Sequence, residues 1–187
     1  MGRALAGALL LSAPAVPLHA QAGTLGAPVT VTLAAAVPPS LTVLVTAGAM
    51  QSIPSVISGA VNSFPTPVQI QTSWDLRPNS GTLSLVAYFT TPSQAMTSGA
   101  NTIASSRIRG RMQSGSVPVF TPINGAGAGG VGVAGGSLVL FTYAVCNSNA
   151  CRRQTRTDPL DLQLDLTGLV LPPGTYTGTL NLRAVTY

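Results

Sequence analysis

Gly174-Thr-Tyr-Thr-Gly-Thr-Leu-Asn-Leu-Arg-Ala-Val-Thr-Tyr187, launched from Pro172-Pro173, decides the fold class. In an extended chain Tyr176, Leu180, Leu182 and Ala184 fall on one side and Thr177, Thr179, Asn181 and Arg183 on the other, the period-two pattern of a half-buried strand. Val185 and Tyr187 then add apolar character to the polar side. Elsewhere the apolar residues also alternate in short runs bounded by Pro, Gly, Asn or Ser, and none follows a helical period. The runs 29–33, 41–46, 68–74, 82–89, 107–112, 117–120, 138–145, 160–166 and 175–186 predict about nine strands, hence an all-β sandwich or barrel. Asn79-Ser-Gly81 is expected to close a tight hairpin between the third and fourth runs, because Asn and Gly tolerate positive φ. Ser93–Thr97 offers the one expected helical turn.

Outward from this pattern, the beginning of the chain has a different character. Arg3 followed by the apolar stretch Ala4–Ser12 is too short to span a bilayer and reads as a secretory signal. Ala20-Gln21-Ala22 fits small-x-small cleavage, with cleavage after Ala20 as the fallback. The expected organisation is a signal peptide over 1–22 and a single domain over 23–187, about 165 residues. No later stretch of about 18 apolar residues predicts a transmembrane span. The expected location is therefore the periplasm, the cell surface or the extracellular space.

All 9 basic side chains are Arg, all 4 acidic ones are Asp, and the single histidine is His19. Removal of the signal would leave a chain without imidazole, Glu or Lys, so general acid-base and Schiff-base chemistry lose their usual groups. A non-enzymatic protein is expected. A charged fraction of 7% beside 45% hydrophobic residues describes a chain with a real core and a Ser/Thr/Asn/Gln surface. The net charge of +5 is too small to call for nucleic acid as a partner.

Several constellations invite a chemical reading. Gly125–Gly136 is Gly-rich but lacks the Gly-Lys-Ser/Thr ending of a phosphate-binding loop, so a mobile inter-strand loop is expected. Cys146 and Cys151 bracket four residues after the 138–145 run; in a secreted chain they predict a disulfide stapling a hairpin loop, since a metal site would need further ligands. Arg107, Arg109 and Arg111 alternate onto one strand face and, with Arg152, Arg153 and Arg156, could grip an anionic glycan through bidentate donors. A chain without Lys must also use Arg for every surface cation, which makes a solvated face the simpler reading. Asp161 and Asp165, about 13 Å apart along a strand, are too far apart for a glycosidase dyad and read as a solvated face. No cofactor or metal motif is present. Trp74 presents either a sugar-stacking platform or an indole packed into the core or its rim.

Three segments together carry a family resemblance: Val29-Thr-Val-Thr-Leu33, Pro38-Pro-Ser-Leu-Thr-Val-Leu44 and the closing strand to Tyr187. They resemble secreted bacterial pilin-like β-sandwiches of the spore coat U and chaperone-usher fimbrial subunit type, which also end in a Gly-x-Tyr strand running to a terminal Tyr. The resemblance covers about a quarter of the chain. It implies an immunoglobulin-like antiparallel β-sandwich that polymerises by donating a strand, with Val29, Val31 and Leu33 as donor residues and a periplasmic chaperone as partner. The local Cys146/Cys151 pair departs from the distant pairing of fimbrial subunits. Val29–Leu33 is alternatively the first strand of a self-complete sandwich. The expected role is an exported structural or assembly component of a surface appendage or coat, with a small adhesin or carbohydrate-binding module as the alternative.

Overall fold

Alternation along residues 68–75 and 153–165 builds the larger of two sheets. Val68, Ile70, Thr72 and Trp74 point inward and are buried, while Gln69, Gln71, Ser73 and Asp75 face out. The structure, a computed structural model, describes residues 38–187. The expected signal peptide over 1–22 and the run containing Val29, Val31 and Leu33 lie outside the described residues.

The described strands are β1 (Ser40–Ala47), β2 (Val61–Ser63), β3 (Val68–Asp75), β4 (Thr82–Tyr88), β5 (Met96–Ser98), β6 (Asn101–Ile103), β7 (Ile108–Met112), β8 (Val117–Pro122), β9 (Ser137–Ala144), β10 (Arg153–Asp165) and β11 (Asn181–Thr186). One sheet has the order β1-β3-β10-β7-β8 with β2 also paired to β10; a second has the order β11-β4-β9; β5 and β6 form a small ribbon. Every pairing is antiparallel. The two larger sheets pack face to face over one core that includes Ile70, Leu85, Phe141 and Leu160, so the chain is an all-β sandwich. The described residues hold eleven strands against the expected nine: the run 29–33 lies outside them, and β2, β5 and β6 were not expected because three residues are too short to display an alternation.

A bulge explains how β9 fills this core. Its pairing with β4 jumps from Phe141 opposite Leu85 to Val139 opposite Val86, so Leu140 is the extra residue. Adjacent residues Leu140 and Phe141 consequently both enter the core.

The turn chemistry at Asn79 and Gly81 holds, with φ of 59° and 75°, but the expected hairpin does not form. β3 and β4 belong to different sheets, and residues 76–81 cross between them. The same correction applies to Cys146–Cys151: residues 145–152 cross from β9 to β10 and include a four-residue helix, α1 (Asn149–Arg152), in place of a hairpin loop. The two crossovers meet the chain's end at one pole of the sandwich. Leu76 N donates to Arg152 O (2.9 Å), Val145 N to Gly81 O (2.9 Å) and Thr82 N to Tyr187 O (2.9 Å).

The closing run is also shorter than expected. Residues 175–180 leave the sheet, and Thr177 exchanges backbone hydrogen bonds with Thr97 of β5 at 2.8 and 3.0 Å. Only from Asn181, opposite Tyr88, does the chain pair with β4. The expected helical turn is present as a 3-10 turn over Pro92–Gln94.

The Gly-rich segment 125–136 is packed, which corrects the expected mobile loop. Ser84 and Val86 lie on the face of β4 opposite the core, yet both are fully buried. The Gly-rich segment reaches that side of the sheet at β11: a Cβ at Gly129 would come within 2.5 Å of the Tyr187 ring and 3.0 Å of Val185. Its backbone closes on itself, with Ala128 and Val131 exchanging hydrogen bonds at 3.0 and 2.9 Å. A Cβ at Gly127 would stand 1.6 Å from Val131 O, so only glycine fits. Gly127→Ala is therefore expected to destabilise the fold by about 2 kcal/mol in urea unfolding; a loop free in solvent would lose less than about 0.5 kcal/mol.

Candidate functional site

The two sheets meet differently along their two sides. On the β8/β9 side the gap is bridged: Ser116 N donates to Leu140 O (2.7 Å), and Gly115 lies so close that a Cβ would come within 2.2 Å of the same carbonyl. Nearby, Asp158 is 2% exposed and accepts hydrogen bonds from Ser114 Oγ (2.5 Å) and from Arg156 Nε (2.5 Å). The Arg156 guanidinium in turn stacks 4.2 Å above the Phe141 ring. β8 also carries Pro118 and Pro122, which cannot donate to an added strand.

On the β1/β11 side no backbone hydrogen bond joins the sheets among the described residues. β1 reads Ser-Leu-Thr-Val-Leu-Val-Thr-Ala without a proline, glycine or charge, and β11 carries only Arg183. Among the described residues both strands are sheet edges, each paired on one side only. Leu41, Val43 and Val45 from β1, and Leu180, Leu182 and Ala184 at the closing strand, rest on the core while remaining only partly buried. Between them runs a cavity of about 520 Å³ whose walls include Val45, Phe64, Val68, Met96, Leu180 and Leu182. Among the described residues the core is thus only partly covered along this seam; β1, apart from an irregularity between Val45 and Ala47, carries neither proline nor charge at its edge.

The side chains singled out from the sequence lie elsewhere. Cys146 and Cys151 form a disulfide with Cα atoms 5.7 Å apart, as expected. Trp74 is 3% exposed, its Nε1 donates to Cys151 O (3.0 Å), and its ring lies 5.3 Å from that of Tyr143. Burial removes the sugar-stacking option and leaves core packing, anchored on the disulfide crossover. Arg109 and Arg111 project from β7 toward β10, where Arg109 pairs with Asp165 and Arg111 with Asp161 (2.8 Å). Arg107 belongs to the preceding 3-10 turn and donates to Thr167 O (2.8 Å).

Arg109 and Arg111 are therefore neutralised within the sheet, which accords with the simpler surface reading more than with a glycan grip, while Arg107 meets only a backbone carbonyl; the expected solvated face of Asp161 and Asp165 is corrected to the anionic counterpart of those two arginines. The physical reason is register: Asp161 stands opposite Arg111, and Gln163 opposite Arg109, which brings the alternating charges of the two strands together. All four aspartates are paired, since Asp75 meets Arg153 (2.6 Å) and Asp158 meets Arg156. No group of three or more potential metal-binding residues clusters among the described residues. Comparison of the chain with protein-family models, with curated proteins and with solved structures yields no match.

The resemblance implied an acceptor groove flanked by the terminal strand, but not that β1 forms its other wall. The run 41–46 was legible as a strand, yet the absence of charge, Pro and Gly over the eight residues of β1 has meaning only once its neighbours are known.

The charge pairing has a pH consequence. Asp165 accepts from Thr167 N (3.0 Å). Hydrogen bonding by Thr167, more than the charges of Arg109 and Arg107, holds its carboxyl below the ordinary aspartate value of 3.8 against the opposing effect of burial. A depressed folded-state pKa stabilises the fold above the unfolded value, and that contribution is lost as pH falls through the lowered one. Urea midpoints of the parent and Asp165→Asn should differ at pH 7, with the parent more stable, and converge as the pH drops below 3.8.

Proposed function

We propose that this protein is an exported structural domain that assembles by accepting an extended strand at the seam between β1 and β11. The observation that carries this reading is the seam: two edges without a further backbone partner among the described residues, flanking partly buried core residues, beside an opposite side that is bridged and proline-guarded. An added strand would satisfy edge N–H and C=O groups through main-chain hydrogen bonds and place alternate side chains against the core, the β-augmentation mode of recognition.

The chain carries a segment suited to be that strand. Val29, Val31 and Leu33 alternate with Thr30 and Thr32, matching an apolar cleft on one side and water on the other. Between Leu33 and the start of β1 lie Ala-Ala-Ala-Val-Pro-Pro, without the Gly, Asn or Asp that a chain reversal favours. Pro38-Pro39 also favours extended backbone through its predecessor. These features favour delivery to a neighbouring copy over folding back beside the chain's own β1. A periplasmic chaperone covering the seam before assembly fits the same chemistry. The disulfide accords with an oxidising compartment. The engagement of all four aspartates in ion pairs supports a structural role over a catalytic one. Of the residues a carbohydrate-binding module would use, Trp74 is buried and Arg109, Arg111, Arg153 and Arg156 are paired with aspartates.

The full chain should form concentration-dependent multimers in light scattering, and deletion of residues 23–36 should leave monomers. Val31→Asp should act in the same direction as the deletion. A monodisperse monomer at all concentrations, unchanged by the deletion, would refute strand addition.

A further inference from the structure

The two sulfurs of the disulfide sit in different surroundings, although their residues are only five positions apart. Cys146 is exposed together with residues 147–150, whereas Cys151 is 8% exposed. The contacts of Cys146 Sγ, with Ser148 Oγ (3.1 Å) and with the donor Ser148 N (3.4 Å), lie at the exposed surface. Cys151 Sγ accepts instead from Cys146 N (2.9 Å) in a part-buried position. The Cys151 backbone is held on both sides, its N donating to Ser148 O (3.2 Å) and its O accepting from Trp74 Nε1 (3.0 Å).

In thiol–disulfide exchange a thiolate attacks one sulfur and expels the other, so the rate follows access to the first and the stability of the second as a thiolate. Access selects Cys146 as the sulfur attacked. The Cys146 N–H stabilises Cys151 as the one that leaves, because a hydrogen bond to the charged form favours it. Arg152 follows Cys151 directly and bonds to Asn149 Oδ1 rather than to any aspartate, and a neighbouring cation also favours a thiolate. The backbone bonds Leu76 N to Arg152 O and Val145 N to Gly81 O hold the crossover independently of the bridge. Exchange at Cys146 therefore does not require the sandwich to unfold.

We propose that Cys146 Sγ is a modification site at which a dithiol oxidoreductase exchanges with the folded protein, with Cys151 as the resolving cysteine. In the opening direction a thiolate of the oxidoreductase attacks Cys146 Sγ. A mixed disulfide forms, the Cys146–Cys151 bond breaks, and Cys151 departs with the electron pair and then takes a proton from water. The second thiolate of the oxidoreductase attacks its own sulfur in the mixed disulfide and releases the Cys146 thiolate. The chain is thereby reduced to two thiols and the oxidoreductase oxidised to its disulfide. Closing runs in reverse, the Cys151 thiolate attacking Cys146 Sγ and expelling the oxidoreductase. The inference does not rest on strand addition, since the bridge lies in the crossover 145–152 and not on β1 or β11.

The oxidised full chain, mixed without denaturant with a thioredoxin whose own resolving cysteine has been replaced, tests the proposal. A covalent adduct should appear in non-reducing electrophoresis, and peptide mapping should place the thioredoxin sulfur on Cys146. In glutathione disulfide, the thiol left in Cys151→Ser should be modified about tenfold faster than the one left in Cys146→Ser, read by intact mass, with the two rates converging in guanidinium. Should either variant react at its guanidinium rate without denaturant, and so be unfolded, the adduct on the parent decides alone. The proposal is overturned if no adduct forms without denaturant, if the adduct maps to Cys151, or if the two folded variants react at equal rates.

Discussion

The backbone pairing of β10 is the constraint from which the larger sheet takes its order. Its thirteen residues pair with β3 over Arg153–Leu160, with β7 over Asp161–Leu164 and with β2 over Gln163–Asp165. β1 and β8 join through β3 and β7, so the whole sheet takes its register from this one strand, directly or at one remove. A slip of one residue would turn Leu160, Leu162 and Leu164 toward water and carry Arg156 and Asp158 away from Phe141 and Ser114. The buried leucine face and the ion pairs are therefore two readings of a single register.

Because β10 occupies the middle of its sheet, the edges fall to β1 and β8, and the molecule treats its two sides unequally. β8 is tied to β9 through Ser116 and carries prolines, while no backbone hydrogen bond joins β1 to β11 among the described residues. Natural sheets usually blunt such edges with charge, proline or a bulge. The prolines and the bridge lie on one side; the other, with a bulge between Val45 and Ala47 and the single charge of Arg183, is the side better suited to receive backbone. The disulfide crossover, with Trp74 bonded to it, fixes one pole of the sandwich.

Much of the strand pattern was legible along the chain. Where alternation ran for five residues or more, as in β1, β3, β7 and β10, the expected run and the observed strand overlap, because burial of one face imposes period two. The three-residue strands were invisible, since no period can be read from three positions. The bulge at Leu140 was equally hidden, because it is defined by pairing across β4. Asn79 and Gly81 adopt the positive φ that their chemistry permits, yet a turn's conformation does not state whether the chain returns to the same sheet or crosses to the other. The Gly-rich segment looked mobile by composition. Its glycines are there because backbone and the Tyr187 ring approach too closely for a Cβ.

By itself the sequence determined the all-β class, most long strands, the Cys146–Cys151 bridge and a surface charged only by Arg and Asp, because alternation, spacing and composition are local properties. Tertiary structure alone decided which arginine meets which aspartate, that Trp74 is buried, and that β1 and β11 share no backbone bond among the described residues. Those outcomes depend on cross-strand register and on which strands end up as edges. Both are set by pairings between residues far apart in the chain.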